Sequence, residues 1–356
     1  LREMNNMIIA ITNDSHFGVR GDNLNMMQYF KKFYDKVFFP TLDKHGIKTV
    51  VHLGDITDRR KYINFNILHL FRKCFVDPLT ERGIDIHAII GNHDSFYKNT
   101  TKVNAFTELF QGNENFTVYT DPTLVNFDGL DVGLVPWITM ENEEETREFI
   151  MKVKAQILFG HLEINGFEII PGVISREGFK QEYFKRFDMV FSGHYHRKMH
   201  QGNIDYLGAP YEMTWADYSD RRGFHLFDTD TRKLQFIENP YKVFHKITYD
   251  DTHNDYESFV ADEYSGCYVK VVVINKTNPY YFEKFLDKLY DADLSDLKIV
   301  EDIDYELIDE ESLDLGKTTQ ELLHDYIDEL SIPEDKERIK KLMSTLYIEA
   351  QDVEVL

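Results

Sequence analysis

Histidine, aspartate and asparagine recur in this chain at short spacings that suit metal and phosphate chemistry. The stretches are Asn13-Asp14-Ser15-His16, Gly54-Asp55-Ile56-Thr57-Asp58, Gly91-Asn92-His93-Asp94, Gly160-His161 and Gly193-His194-Tyr195-His196. Singly, each is weak: a lone histidine is more often a hydrogen-bonded structural residue, and Gly-Asp-x-x-Asp can be a plain turn. All five in order, each directly after an apolar run, are hard to assign to unrelated turns. Imidazole and carboxylate together suit manganese, iron or zinc better than calcium. Asp14, His16, Asp55, Asn92, His161, His194 and His196 are too many ligands for one ion with open positions. They suit two divalent ions sharing Asp55, about 3.5–4 Å apart as in two-metal hydrolases. Such a site carries net positive charge, attracts a phosphate and activates water. His93 is beside a ligand without being needed as one. It can hydrogen-bond a phosphate oxygen or protonate a leaving alkoxide. Asp94 is expected to orient that imidazole and keep it protonated.

These residues need elements that deliver them to one place. Ile8 to Thr12, Lys48 to Leu53, His87 to Ile90, Ile157 to Phe159 and Met189 to Phe191 read as short buried strands, each ending where a polar group begins. In open α/β sheets the carboxyl edge of the strands is where sites form. Phe30, Phe33, Tyr34, Val37 and Phe38 follow helical spacing, as does the stretch around Phe65, Leu68 and Phe71. The alternation predicts an α/β layered core over residues 7–240. Beyond Pro240, strands at Val243 to Tyr249, Cys267 to Ile274 and Ile299 to Ile308, with a helix at Tyr280 to Tyr290, make a small α+β module over 241–308. The final part, 309–356, reads as an acidic linker and a helical hairpin. Leu322, Leu323, Tyr326, Ile327 and Leu330 make one stripe; Ile339, Leu342, Met343, Leu346 and Tyr347 make the other. Ser331-Ile332-Pro333-Glu334 has the form of a capping box between them. Two helices alone make a poor core, so the hairpin must dock on the chain's own body or on a partner.

The 356 residues carry a net charge of −22, which excludes coating of nucleic acid by bulk charge. It leaves open an enzyme that meets DNA at one local surface. Arg20, Arg59, Arg60, Lys61, Lys98, Lys102, Arg197, Lys198, Arg221 and Arg222 closely follow the polar stretches and would rim a site formed there, holding a phosphate backbone. Cys74 and Cys267 are no disulfide framework, and a reducing cytoplasm is the default. No run approaches the length of a membrane span. Leu1 to Asn6 read as a leader with no part in the fold.

The five stretches resemble the motifs of the calcineurin-like metallophosphoesterase superfamily. DSHFG, GDITD, GNHD, GHLEING and SGHYH resemble those of its SbcD / Mre-eleven branch of DNA repair nucleases. YLGAPYEMTWAD and RRGFHLFD are similar to the segment that closes the phosphoesterase domain there. WITMENEEE and LLHDYIDEL…LYIEA are most similar to the nuclease subunits of T-even bacteriophages. The resemblance implies a four-layer metallophosphoesterase β-sandwich flanked by helices, a capping domain at 241–308, and a C-terminal helix-turn-helix hairpin. It implies Asp14, His16, Asp55 and His196 on one ion and Asp55, Asn92, His161 and His194 on the other, with Mn2+ as the expected metal. His93 becomes the catalytic histidine. Asp58 stands where some relatives carry a histidine that helps place the DNA strand, and Thr57 stands where a bulky apolar residue is common.

The implied partners are DNA, a second copy through Tyr62, Phe65, Leu68, Val103 and Phe106, and an SbcC-type ATPase. The ATPase would be gripped by Leu322, Tyr326, Leu330, Ile339, Leu342 and Leu346. The implied activity is exonuclease on duplex ends and endonuclease on single strands, in the cytoplasm of an infected bacterium. Two other functions compete. One is a phosphatase or small-molecule phosphodiesterase of the same superfamily; GDITDR resembles the protein-phosphatase form, but GNHD departs from it. The other is a non-catalytic scaffold for an ATPase, which predicts broken ligands where none is broken.

Overall fold

A computed structural model describes residues 7–301 except 111, 171 and 172, together with residues 336, 339 and 340. Ile8–Thr12 (β1), Thr49–His52 (β2), Asp85–Ile89 (β3) and Phe116–Tyr119 (β4) run parallel in one sheet. Thr123–Phe127 (β5), Leu130–Val135 (β6) and Ile157–His161 (β7) begin a second sheet. Glu168–Ile170 (β8) and Val173–Ile174 (β9) pair as an antiparallel ribbon in a separate unit, to which residues 336, 339 and 340 also belong. Met189–Gly193 (β10), Met199–Gln201 (β11) and Ile204–Tyr206 (β12) complete the second sheet. Gly223–Asp228 (β13) and Leu234–Glu238 (β14) return to the first. The orders are β14-β13-β1-β2-β3-β4 and β11-β12-β10-β7-β6-β5.

Period-two alternation divides each strand between two cores. Ile9, Ile11, Val51, Leu53 and Ile89 face Val132, Leu134, Ile157, Phe159 and Phe191 between the sheets. Ala10, Val50, Ile86 and Ala88 turn outward onto helices carrying Phe30, Phe33, Phe71 and Phe75. Leu158, Val190 and Tyr206 turn outward on the other sheet, against Ile150 of helix Glu143–Lys152. The result is the four-layer helix–sheet–sheet–helix arrangement. Each fully buried large apolar side chain contributes about 1.5–3 kcal/mol.

The predicted helix at Phe30 to Phe38 lies inside a longer one. Leu24–Phe33 is capped by Asn23, whose side chain accepts the Met26 N–H at 3.0 Å. It passes through a π-turn at Tyr34–Phe38 into Phe39–His45 and ends at Gly46, φ 62°. Phe65–Phe71 likewise passes through a π-turn at Arg72–Val76 into Asp77–Glu81. Both π-turns precede a proline, Pro40 and Pro78, whose missing N–H frees an earlier carbonyl and lets the register widen.

Past Pro240, Phe244–Asp250 (β15), Tyr268–Asn275 (β16) and Asp296–Val300 (β17) make a small sheet that is entirely parallel. Helix Pro279–Asp291 makes the crossover from β16 to β17. Its own core holds Tyr249, Val269, Val271, Phe282, Phe285 and Leu289. The last strand starts three residues before the predicted Ile299, and 302–308 lie outside the described residues. So do Leu322, Tyr326, Leu330, Leu342 and Leu346; Ile339 is described as helical.

Candidate two-metal active site

β1, β2 and β3 are mutually parallel, as are β7 and β10, so their carboxyl ends share an edge of each sheet. The loops that follow are bonded to one another before any side chain is considered. Asp14 N–H donates to the Gly54 carbonyl at 3.0 Å, and His16 N–H to that of Asp55 at 3.1 Å. Across the sheets, the His194 N–H donates to Asp14 Oδ1 at 3.1 Å. Asp14, His16, Asp55 and His194 all adopt positive φ, at 48°, 40°, 57° and 89°. Non-glycine residues there carry about 1–3 kcal/mol of strain each, and such strain clusters at functional sites. Gly91 permits the close approach of its loop to Asp55, since a Cβ on it would lie 2.1 Å from Asp55 Oδ1.

The donor atoms converge. One each from Asp14, His16 and His196 lie within 4.8 Å of one another, and the same holds for Asp14, Asp55 and His161. His161 Nδ1 donates to the Leu53 carbonyl at 2.7 Å, which leaves its Nε2 directed into the pocket. That Nε2 lies 3.0 Å from Asn92 Oδ1, and His194 Nδ1 is also 3.0 Å from that oxygen. His16 Nδ1 lies 3.4 Å from Asp58 Oδ1, while its Nε2 sits 3.1 Å from His196 Nε2. Carboxylate, amide and imidazole groups gathered in one buried pocket could hold a cation, and the mixed oxygen and nitrogen set fits divalent transition metals. Charge points the same way. Burial opposes a proton on His161, yet Asp55 and Asp14 outweigh it and raise its pKa to about 9. Burial lowers His194 to about 3 and His196 to about 4, which keeps both as neutral donors.

His93 is held at two points. Its backbone N–H donates to Asp55 Oδ1 at 2.7 Å, and its Nδ1 donates to the Asp58 carbonyl at 2.6 Å. Nε2 is thereby left for a ligand. Asp94 does not orient this imidazole, contrary to the sequence expectation. Its carboxylate is fully buried and accepts N–H groups from Asp55 (2.7 Å), Ile56 (2.9 Å), Thr57 (3.3 Å) and Gly91 (2.8 Å). It ties the second and third loops together, because a sharp turn points adjacent side chains to opposite sides. Asp58 supplies the orientation instead, through its carbonyl to His93 and its carboxylate to His16.

The basic residues divide. Arg222 is 2 % exposed and far from free. It donates to the His196 carbonyl, to Asp217 Oδ1 at 2.8 Å and to Asp220 Oδ2 at 3.0 Å, so it positions a candidate ligand. Arg20 lies over the Tyr268 ring at 4.4 Å, Arg59 pairs with Asp22 at 2.8 Å, and Lys198 lies over Phe236 at 4.3 Å. Arg197 is 3.9 Å from Asp220, Arg221 is 2.6 Å from Glu238, and Lys102 pairs with Glu141. Arg60, Lys61 and Lys98 have no ion-pair partner among the described residues. Of the apolar residues expected to face a second copy, Tyr62, Phe65 and Val103 are exposed and Leu68 is half-buried against the helix–sheet core, but Phe106 is fully buried in that core and cannot reach one. Sequence reasoning also missed Trp137, whose ring centroid is 5.0 Å from that of His194 and 5.8 Å from that of His161. Its only sequence signal was the WITM wording.

A pocket of this build, on this sandwich, defines a metallophosphoesterase. The family described as calcineurin-like phosphoesterase matches residues 7–198, and the chain belongs to it. It is an enzyme of phosphoester chemistry. Among curated proteins it is similar to exonuclease subunit 1 of Enterobacteria phage T4, 34 % identical over 351 residues, 97 % of this chain and 99 % of that one. Among solved structures it is similar to an archaeal phosphodiesterase, 15 % identical with TM-score 0.34 over 65 % of this chain and 100 % of that one. It is also similar to purple acid phosphatase PPD1 of yellow lupin (Lupinus luteus), 13 % identical with TM-score 0.35 over 65 % of this chain and 52 % of that one.

Proposed function

We propose that the chain is the nuclease subunit of a recombination and break-processing complex. It would hydrolyse DNA phosphodiesters, as an exonuclease at duplex ends and an endonuclease on single strands. The observation that carries this is the end-to-end likeness to a protein named as an exonuclease subunit, with every candidate ligand of the pocket present. The chemistry calls for two divalent cations, manganese first among candidates, which supply Lewis-acid activation of phosphate and water. Asp14, His16, Asp55 and His196 would hold one; Asp55, Asn92, His161 and His194 would hold the other.

The chain's own residues do the rest. Asp55 is fixed by His93 N–H and by its left-handed backbone, so the shared carboxylate needs no reorganisation. His93, with Nδ1–H committed to Asp58, presents Nε2; protonated there, it stabilises a phosphate oxygen and passes its proton to the leaving alkoxide. Arg60, Lys61 and Lys98 are the cations left to hold a phosphate backbone. Such a subunit would work in the cytoplasm with an SbcC-type ATPase bound at 309–356, and as a dimer through the face bearing Tyr62, Phe65 and Val103. Residues 241–308 would act as its capping domain.

The test is manganese-dependent cleavage of labelled duplex and single-stranded DNA, with and without the ATPase, beside a phosphatase substrate. His93→Ala should lower turnover about 10²–10⁴-fold while bound manganese stays at the wild-type level. Rapid phosphatase turnover with no DNA cleavage in either arm would overturn the reading in favour of a phosphatase.

A further inference from the structure

Trp137 stands at the wall of the pocket, and nothing in the chemistry above uses it. Its backbone is fully engaged: its N–H donates to the Ile90 carbonyl at 2.7 Å, one residue before the Gly91-Asn92-His93 loop. Its carbonyl accepts from Asn142 Nδ2 at 3.1 Å, and Asn142 Oδ1 accepts from the Thr139 N–H at 2.7 Å. The loop is therefore rigid, while the indole it carries stays only partly buried. The ring lies tilted by 41° beside His194 and edge-on to His161. Its N–H has no acceptor among the described residues. A large flat apolar surface held beside the ligand cluster and left partly open to solvent can receive a second flat ring.

We infer that Trp137 is a stacking platform for an unpaired nucleobase next to the scissile phosphate. A base within a duplex has both faces covered by its neighbours and cannot lie on an indole. The residue would therefore favour single-stranded or frayed DNA over paired DNA. It is sequence-tolerant, since every base has a π-face. The inference rests on the nuclease reading above.

The experiment uses the full chain carrying Trp215→Phe, which leaves Trp137 as the only tryptophan of two. With chelator present, a single-stranded oligothymidylate is titrated against an abasic oligomer of equal phosphate count, and indole fluorescence is followed. Saturable quenching is expected with the oligothymidylate, and little with the abasic oligomer. In the wild-type background, Trp137→Ala should weaken oligothymidylate binding about tenfold, measured by anisotropy, and Trp137→Phe should restore most of it. Equal quenching by both oligomers, or unchanged affinity in Trp137→Ala, overturns the inference. So does a loss of manganese affinity in Trp137→Ala as large as its loss of DNA affinity, which would make the indole a packing partner of His194. If DNA is cleaved but no quenching occurs, only the stacking role fails; if the wild type neither binds nor cuts DNA, the nuclease reading fails with it.

Discussion

At the scale of single residues, the site depends on side chains that touch no substrate. Asp94 accepts four backbone N–H groups from two loops while buried. Asp94→Asn keeps the shape but turns an N–H₂ toward donors, leaving buried groups unpaired. A loss of about 1–3 kcal/mol is expected in urea denaturation, with weaker manganese binding by calorimetry. Two other buried residues set a pH dependence. Burial pushes His52 and His225 down to about 3 from an ordinary 6.5. The folded form resists protons that the unfolded chain accepts. Their stability contribution is therefore present above pH 6.5 and lost as pH falls from there toward 3. Each should lower the folding constant about tenfold per pH unit in that window. Urea midpoints for His225→Asn should fall less between pH 7 and pH 4 than those of the wild type.

At the scale of elements, the parallel strands aim and the loops position. Motif loops in this chain are legible because each follows a short, largely apolar strand with an abrupt polar change. Their interlocking is not legible, since it depends on left-handed residues and on glycines with no room for a side chain. Gly91→Ala places a Cβ 2.1 Å from Asp55 Oδ1 and 2.3 Å from its N. The third loop must then retreat from the second. Manganese binding is expected to fall at least tenfold, while the far-ultraviolet circular dichroism of the sandwich persists. Gly46→Ala, which meets nothing within 4 Å, costs only its positive φ and should leave manganese binding at the wild-type level.

At the scale of the whole molecule, the small parallel sheet is fastened to the sandwich by particular contacts. Buried Glu212 accepts the Val243 and Phe244 N–H groups at 2.8 and 3.1 Å. Arg20, just past the first motif, lies over Tyr268, and Asn25 Nδ2 donates to Ser295 Oγ at 2.7 Å. These contacts tie the first motif loop to the small sheet. Charge acts at this scale too. With a net charge of −22, and with Arg60, Lys61 and Lys98 the rim cations that have no ion-pair partner among the described residues, the isolated chain should bind single-stranded DNA weakly. Its log affinity should fall with log salt at a slope of about −2, near −0.7 for each of three phosphates. A slope beyond about −5 would show that more cations reach the strand than these three.

The amino-acid sequence by itself determined the candidate donor set, its order along the chain and its place at strand ends. Those properties are local: apolar periodicity makes the strand, and the first polar residues after it must lie at its end. The same locality made the helix at Phe30 to Phe38 readable, though not its π-turn. Only the tertiary structure decided which neighbour faces the pocket. Asp94 turns away from His93, Arg222 goes into the core rather than the rim, Phe106 packs inward, and Trp137 arrives from the loop after β6, the strand beside that of His161. Each outcome is set by backbone angles at strained loop positions and by packing between segments distant in sequence. No short-range pattern of residue types encodes either.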